Sequence, residues 1–265
     1  MSTTAPAATH SHASAGKNEV ALFGLPALLL IVAIVSIAIA AVYLRRASGV
    51  KADSILLVGA RGSGKTNMLA RLEHDAWVET HTSLKDNSVM VALDDEGKLC
   101  TRVIDVPGHE KLRYQTHHFT PVARGIVFVL DAARLGKDIR QVAEYLYDIL
   151  TDSRVAQREI PILLACHKAD LATAYAPKRC REMLETEIDR IRVTRTAAVD
   201  SQTAEQEQHS AAERYLGYEG ETFRFDHLPN DVQEVACSSL QETSEANDRL
   251  GSVKEWMADV AAGRT

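Results

Sequence analysis

Hydrophobic residues form one long run near the N-terminus and several short runs after it. Residues 20–44, "VALFGLPALLLIVAIVSIAIAAVYL", contain no Asp, Glu, Lys or Arg. At about 1.5 Å per residue, a helix over this run crosses a hydrocarbon core of about 30 Å. A secretory signal has its basic residues before a shorter apolar region, whereas Arg45 and Arg46 follow this one. The pattern therefore predicts a transmembrane helix at 20–44.

The charges on either side of this run predict its orientation. Arg45, Arg46 and Lys51 follow it, while Lys17 on the other side is accompanied by Glu19. The positive-inside rule places the C-terminal part in the cytosol. Residues 1–19 are then a short tail on the far side of the membrane, 45–52 a linker and 53–265 a cytosolic domain.

The short runs in that domain predict an α/β fold. Apolar runs typical of buried strands are "SILLVG" (54–59), "GIVFVLD" (125–131), "IPILLACHKAD" (160–170) and "DVQEVAC" (231–237). The runs "SVMVAL" (88–93) and "KLCTRVIDV" (98–106) flank an acidic turn and predict a hairpin. Helical periods between the strands indicate a mostly parallel sheet with one antiparallel edge strand and helices on both faces. Residues 196–221 lack such a period, and we expect a mobile insertion there.

The stretch "GARGSGKT" (59–66) matches the phosphate-loop pattern GxxxxGK[ST] between a predicted strand and a predicted helix. Glycines allow the tight loop, and backbone N–H groups at the helix start face the anion. Lys65 is expected to reach the β- and γ-phosphates, and Thr66 to bind Mg²⁺. The predicted phosphate-site residues are Gly59, Ala60, Arg61, Gly62, Ser63, Gly64, Lys65, Thr66 and Asn67.

The stretch "RVIDVPGHEKLR" (102–113) ends the third predicted strand at Asp105. In a parallel sheet this carboxylate lies beside the phosphate loop, where it can hold the metal through water. Gly108 can donate its N–H to a γ-phosphate. His109 follows, and two interpretations stay open: a residue that orients the attacking water, and a surface residue with no catalytic role.

A further metal ligand is expected in "ETHTSLKD" (79–86), which lies between the phosphate loop and the hairpin. Thr82 is the predicted residue, with Thr80 and Ser83 as alternatives. The predicted metal site therefore consists of Thr66, Thr82 and Asp105.

The stretch "CHKAD" (166–170) follows the fifth predicted strand and indicates base recognition. Asp170 can accept hydrogen bonds from the N1–H and the exocyclic amine of guanine, which adenine does not offer in that arrangement. Lys168 can lie along the base, and His167 can donate to guanine N7. After the last strand, "CSSL" (237–240) is expected to bring Ser238 and Ser239 to the base.

Charge, cysteine and histidine patterns exclude other kinds of site. The formal net charge is −6 and no basic block is present, which argues against nucleic-acid binding. The four cysteines lack paired CxxC spacing, so a zinc site is not expected and we interpret them as small core residues. His117 and His118 point about 100° apart on a helix, so they are expected at the surface and not at a metal.

Taken with the apolar run, these motifs resemble the beta-subunit family of the signal recognition particle receptor. The resemblance also covers "RVTRTAA" (192–198), "IVFVLDAA" (126–133) and "VAEYLYDIL" (142–150). It implies a Ras-like GTPase domain, related to Arf and Sar, that binds GTP or GDP with Mg²⁺. It also implies an endoplasmic reticulum membrane anchor with a lumenal N-terminus.

The resemblance further implies a partner. In the GTP-bound form, residues 79–86 and 105–118 are expected to bind the N-terminal domain of the receptor's alpha subunit, which then receives ribosome–nascent chain complexes for the translocon. Two residues depart from the family pattern: His167 replaces an Asn, and Leu240 replaces a Lys. Both bear on base selectivity, while the phosphate loop is intact.

Two other functions stay open at this stage. The first is a structural membrane anchor whose nucleotide is permanently bound and hardly hydrolysed. The second is an Arf-like GTPase of vesicle traffic, although such proteins usually join membranes through a lipid or an amphipathic helix. Hydrolysis, where it occurs, is expected to be slow or to depend on a partner.

Overall fold

The computed structural model describes residues 33–36, 52–74, 87–94, 97–201, 215–240 and 250–264. The chain divides into two units, residues 1–50 and 51–265. In the first unit, residues 33–36 are helical, and the Ser36 hydroxyl donates to the Ala33 carbonyl at 2.8 Å. The rest of the predicted span 20–44 lies outside the described residues. Among the residues that are described, no helix is both long and apolar enough to cross a membrane.

The second unit is built on a six-stranded sheet with the order β2-β3-β1-β4-β5-β6. Only β2 is antiparallel to its neighbour; the remaining pairs are parallel. The strands are β1 (Ser54–Val58), β2 (Asn87–Ala92), β3 (Cys100–Asp105), β4 (Ala123–Asp131), β5 (Ile162–His167) and β6 (Val232–Ala236). The predicted hairpin is confirmed, with Asn87 opposite Asp105 and Ala92 opposite Cys100.

Helices cover both faces of the sheet. They are α1 (Lys65–His74), α2 (Thr116–Phe119), α3 (Leu135–Thr151), α4 (Ser153–Gln157), α5 (Pro177–Ser201) and α6 (Gly251–Ala262), with 3₁₀ turns at Glu110–Gln115, Thr120–Val122 and Phe225–His227. Because side chains alternate along a strand, β1 sends Leu56 into a core with α3 and α5, and Leu57 into a core with α1 and α6. The parallel strands are therefore buried on both sides, which explains their continuous apolar sequences.

Two local expectations can be compared with the fold. Cys166, Cys180 and Cys237 are buried as expected, but Cys100 is exposed, so its assignment to the core was wrong. Cys100 begins β3 beside the hairpin turn and pairs with Ala92 at the end of β2, which is also exposed. In the segment expected to be an insertion, α5 continues to Ser201, and Leu216 is buried. Residues 202–214 lie outside the described part of the chain.

Candidate functional site

The functional site lies where the parallel strands end. Gly59 follows β1, Asp105 ends β3, Asp131 ends β4, His167 ends β5, and Ser238 lies just beyond β6. Since the carboxyl ends of parallel strands meet at one edge, the fold brings these residues together from distant parts of the sequence. The order of the strands places β1 and its loop between β3 and β4.

The phosphate loop curves between β1 and α1. Gly59 has a positive φ of 145°, and a Cβ added there would lie 2.1 Å from the Val129 carbonyl oxygen, so only glycine fits. Lys65 begins α1, and its Nζ donates to the carbonyls of Gly59 at 2.8 Å and Ala60 at 3.0 Å. The loop and the first amides of α1 together form an anion-binding cradle. Asn67 lies on the same first turn, with a buried Oδ1 that has no hydrogen-bond partner among the described residues.

Lys65 is a buried cation. It is only 7% exposed, and burial lowers the pKa of its ammonium group to about 8. The nearby Asp105 carboxylate opposes this shift, and the Arg113 guanidinium adds to it. A phosphate next to Lys65 would stabilise its charged form.

Asp105 and Thr66, two of the predicted metal ligands, lie side by side. The Thr66 hydroxyl donates to Asp105 Oδ2 at 2.9 Å. Burial raises the pKa of the Asp105 carboxyl, although Lys65 and the Thr66 hydrogen bond oppose the shift. Asp105 is 2% exposed, and its Oδ1 has no hydrogen-bond partner among the described residues. An unsatisfied buried carboxylate oxygen beside a hydroxyl suits Mg²⁺, which prefers oxygen ligands.

In the described part of the chain, the Thr66 hydroxyl and the Asp105 carboxylate are the predicted metal ligands. Within the described residues, no group of three or more His, Cys, Asp or Glu side chains is arranged to hold a metal. The predicted ligand Thr82 and its alternatives, Thr80 and Ser83, lie outside the described part of the chain.

Gly108 brings the chain after β3 onto the phosphate loop. A Cβ at Gly108 would lie 2.4 Å from the Gly59 carbonyl oxygen and 2.5 Å from Lys65 Nζ, so a side chain has no room. His109, half-buried, follows and caps the 3₁₀ turn Glu110–Gln115, with its Nδ1 accepting the N–H of Lys111 at 3.3 Å. In the neutral imidazole, this bond places the proton on Nε2.

The segment after His109 is attached to α3 through residues that the sequence reasoning missed. The Thr116 hydroxyl lies 2.8 Å from the Tyr145 hydroxyl, and the Arg113 guanidinium lies 4.8 Å above the Tyr145 ring centroid. Burial raises the pKa of Tyr145 to about 12. Helical spacing already placed the neighbouring Leu146 on the core face, and that spacing was the only available signal.

His117 and His118 are both exposed. His117 Nδ1 lies 2.6 Å from Asp152 Oδ2, and its side chain is 47% exposed. The His118 ring packs edge-on to Tyr114. The prediction that these two residues lie at the surface or are partly packed is therefore confirmed.

Two loops meet at the predicted base site. The Asp170 carboxylate accepts a hydrogen bond from the Ser238 hydroxyl. Lys168 has a left-handed backbone, with φ 62°, and its Nζ donates to the Gly62 carbonyl at 3.1 Å and lies 2.6 Å from Asp131 Oδ2. Lys168 thus connects the base loop with the phosphate loop. Asp131 was missed, although it ends β4 as Asp105 ends β3.

His167 lies deeper than the sequence suggested. It is 4% exposed, and its Nε2 lies 2.7 Å from Ser239 Oγ. The other side of the ring packs against Gly64. Burial lowers the pKa of His167 to about 4, with the nearby Ser63 backbone opposing the shift, so the imidazole is neutral near pH 7. Leu240 is exposed beside this site.

The sheet topology, the phosphate loop after β1, and the aspartates after β3 and β5 define a Ras-like GTPase fold. Residues 50–232 match the family model described as signal recognition particle receptor beta subunit. A mouse relative of that name is 34% identical over 210 residues, which cover 78% of this chain and 77% of the relative. This chain belongs to the signal recognition particle receptor beta-subunit family.

Solved structures agree with this assignment. A structure of the mammalian SRP receptor matches with 32% identity and a TM-score of 0.66, covering 78% of this chain and 99% of that one. The GDP- and Mg-bound receptor protein SRb of Chaetomium thermophilum matches with 27% identity and a TM-score of 0.57, covering 80% and 99%. The fold is therefore shared over nearly the whole length of both solved chains.

Proposed function

We propose that this protein is the membrane-anchored, GTP-binding subunit of a signal recognition particle receptor. It holds the alpha subunit at the endoplasmic reticulum membrane for co-translational protein targeting. The observation that carries this proposal is the convergence of a phosphate loop, a metal-side carboxylate and a base-side carboxylate at one sheet edge. In this proposal residues 20–44 span the membrane, with the N-terminus lumenal and the GTPase domain cytosolic.

The phosphate side of the site acts through charge and backbone amides. Lys65 exchanges its two carbonyl partners for the β- and γ-phosphates, and the first turn of α1 stabilises their negative charge. Thr66, Asp105 and Thr82 would hold Mg²⁺, which would neutralise phosphate charge when bound. Gly108 donates its backbone N–H to the γ-phosphate. A residue with a side chain could not come this close to the phosphate loop.

The base side selects guanine through Asp170. Its carboxylate accepts hydrogen bonds from two adjacent guanine N–H groups, while the Ser238 hydroxyl orients it. The Lys168 stem lies along the base, and Asp131 holds its ammonium group. In this proposal the backbone N–H of Ser239 donates a hydrogen bond to the guanine carbonyl oxygen. Adenine presents the opposite donor and acceptor arrangement and is rejected.

The alpha subunit's N-terminal domain is proposed to bind residues 79–86 and 105–118 in the GTP-bound form. In the described part of this surface, Tyr114 is 58% exposed and supported by His118. An exposed aromatic residue on a rigidly attached segment is typical of a protein interface. The same segment carries His109, so partner binding and the proposed slow hydrolysis act on the same few residues.

Nucleotide titration of the purified full-length chain in detergent tests this function. GTP and GDP should bind at least about 100-fold more tightly than ATP, since the half-buried Asp170 carboxylate makes two hydrogen bonds to guanine alone. Asp170→Asn should weaken GTP binding about 10- to 100-fold and favour XTP, because the amide offers a donor to the second xanthine carbonyl. Asp138→Asn, on the surface of α3, is the matched control. Equal affinity for ATP and GTP would refute guanine recognition.

A further inference from the structure

His167 occupies the place from which a side chain would read the imidazole edge of guanine, but its ring is enclosed by protein. Its Nε2 lies 2.7 Å from Ser239 Oγ. Ser239 is itself only 3% exposed, so this contact lies inside the protein and not at its surface. One ring nitrogen is therefore already hydrogen-bonded to the loop that follows β6.

The other ring nitrogen faces the phosphate loop. A Cβ built on Gly64 would lie 2.4 Å from His167 Nδ1 and 2.4 Å from Cε1, so this edge of the ring is pressed against the backbone of Gly64. Nδ1 has no hydrogen-bond partner among the described residues, and it is buried. No base atom has room to enter between this edge and the loop.

We propose that His167 bridges the phosphate loop and the loop after β6, and that the base site recognises guanine without any contact to N7. This inference rests on the proposed GTP binding and concerns how that site reads its ligand. Recognition then depends on the Watson–Crick edge, through Asp170 and the Ser239 backbone. His167 is a positioning residue that acts on the base only through the two loops that it joins.

The chemistry of the side chain gives the reason. An asparagine amide has two N–H donors and a carbonyl acceptor, so it can bond to protein and to a base together. A neutral imidazole has one donor and one acceptor, on opposite sides of a rigid ring. Swinging the ring toward the base would break the Ser239 contact and leave a void against Gly64.

The test compares GTP with 7-deaza-GTP, in which a C–H replaces N7 and the Watson–Crick edge is unchanged. Affinities are measured by isothermal titration of the full-length chain with Mg²⁺ present. For the unaltered protein the two dissociation constants should be equal within about twofold. In His167→Asn, the amide can reach N7, and 7-deaza-GTP should bind about 2- to 10-fold more weakly than GTP.

Two further variants separate positioning from direct contact. His167→Ala should bind both nucleotides more weakly by the same factor. The substitution removes the contact between the two loops, and the unaltered protein already makes no contact with N7. Lys137→Ala, at an exposed lysine on α3, should keep the ratio of the unaltered protein.

Discrimination against 7-deaza-GTP by the unaltered protein that disappears in His167→Ala would overturn the inference. A ratio near one in both the unaltered protein and His167→Asn would also overturn it, since the residue at 167 would then not decide whether N7 is read. Failure of the unaltered protein to bind GTP would instead reject the proposed function.

Discussion

At the scale of single residues, His109 is the side chain through which this site would act on water. It follows Gly108, whose backbone touches the phosphate loop, and its Nδ1 accepts a backbone N–H, so Nε2 carries the proton. Such an imidazole can orient water as a donor without acting as a base. His109→Ala should therefore slow single-turnover GTP hydrolysis about 10- to 100-fold and leave GTP affinity unchanged.

His109→Gln is the matched variant for that experiment, because an amide also orients water, and it should retain most of the rate. The interpretation of His109 as a surface residue without a catalytic role predicts equal rates in all three proteins. A change in GTP affinity that accompanies the change in rate would point instead to a disturbed phosphate loop.

The same scale shows what the sequence can and cannot predict. Lys65 and Asp105 were predictable because their motifs fix both the residue type and its place at a strand end. The ion pair of Lys168 with Asp131 was not, because it depends on a left-handed turn at Lys168 and on which strands are neighbours. The burial of His167 was not predictable either, since its neighbours Gly64 and Ser239 belong to two loops that are distant from it in the sequence.

At the scale of elements, the segment after β3 is attached to the helix layer by a titratable pair. The hydrogen bond to Asp152 raises the pKa of His117, against a smaller opposing effect of burial. Burial opposes the shift at Asp152, but hydrogen bonds from His117 and the Arg154 N–H lower its pKa. The His117 contribution is fully present below its unfolded pKa of about 6.5 and is lost as pH rises through its raised folded value.

The contribution of Asp152 has the opposite sign of pH dependence. It is present above the unfolded pKa of about 3.9 and is lost as pH falls through its lowered folded value. Attachment of α2 should thus be strongest between about pH 4 and pH 6.5. Because His117 is 47% exposed, solvent screening limits the effect to about 0.2–1 kcal/mol.

Hydrogen exchange of the amides of residues 110–119 measures this attachment. After correction for the intrinsic rate, protection should fall by up to about fivefold between pH 6 and pH 9 in the unaltered chain. His117→Ala should abolish that pH dependence. His118→Ala is the control that keeps it, as its ring contacts Tyr114 and not Asp152. Equal pH dependence in the unaltered chain and His117→Ala would contradict this role of the pair.

At the scale of the whole molecule, the positions of the strands and the single antiparallel edge strand were predictable from the sequence, whereas the order of the strands in the sheet was not predicted. Continuous apolar runs marked strands that are buried on both faces, and two runs on either side of an acidic turn marked the hairpin. Boundaries were harder to predict. Helix α5 extends to Ser201 through a polar sequence, and buried Arg192 donates to the carbonyl of Leu216 at 2.9 Å. Such contacts between residues far apart in the sequence cannot be predicted from the spacing of apolar residues.

The last prediction concerns the molecule as a switch. If nucleotide state controls the partner, Lys65→Ala should remove triphosphate binding and, with it, recruitment of the alpha subunit's N-terminal domain. The physical reason is that Lys65 is the buried cation of the phosphate loop, and Gly108 connects that loop to the proposed partner surface. Full-length protein in liposomes, loaded with GTP or GDP, is mixed with the alpha-subunit domain, and co-flotation is measured.

The unaltered protein and Lys137→Ala should both recruit the domain with GTP at least about 10-fold better than with GDP, a coupling of about 1.4 kcal/mol. Lys65→Ala should show no difference between the two nucleotides. Undiminished recruitment by Lys65→Ala would mean that the domain binds without regard to nucleotide. The GTPase fold would then serve as a fixed anchor, because a ligand without differential affinity for two states cannot shift their populations.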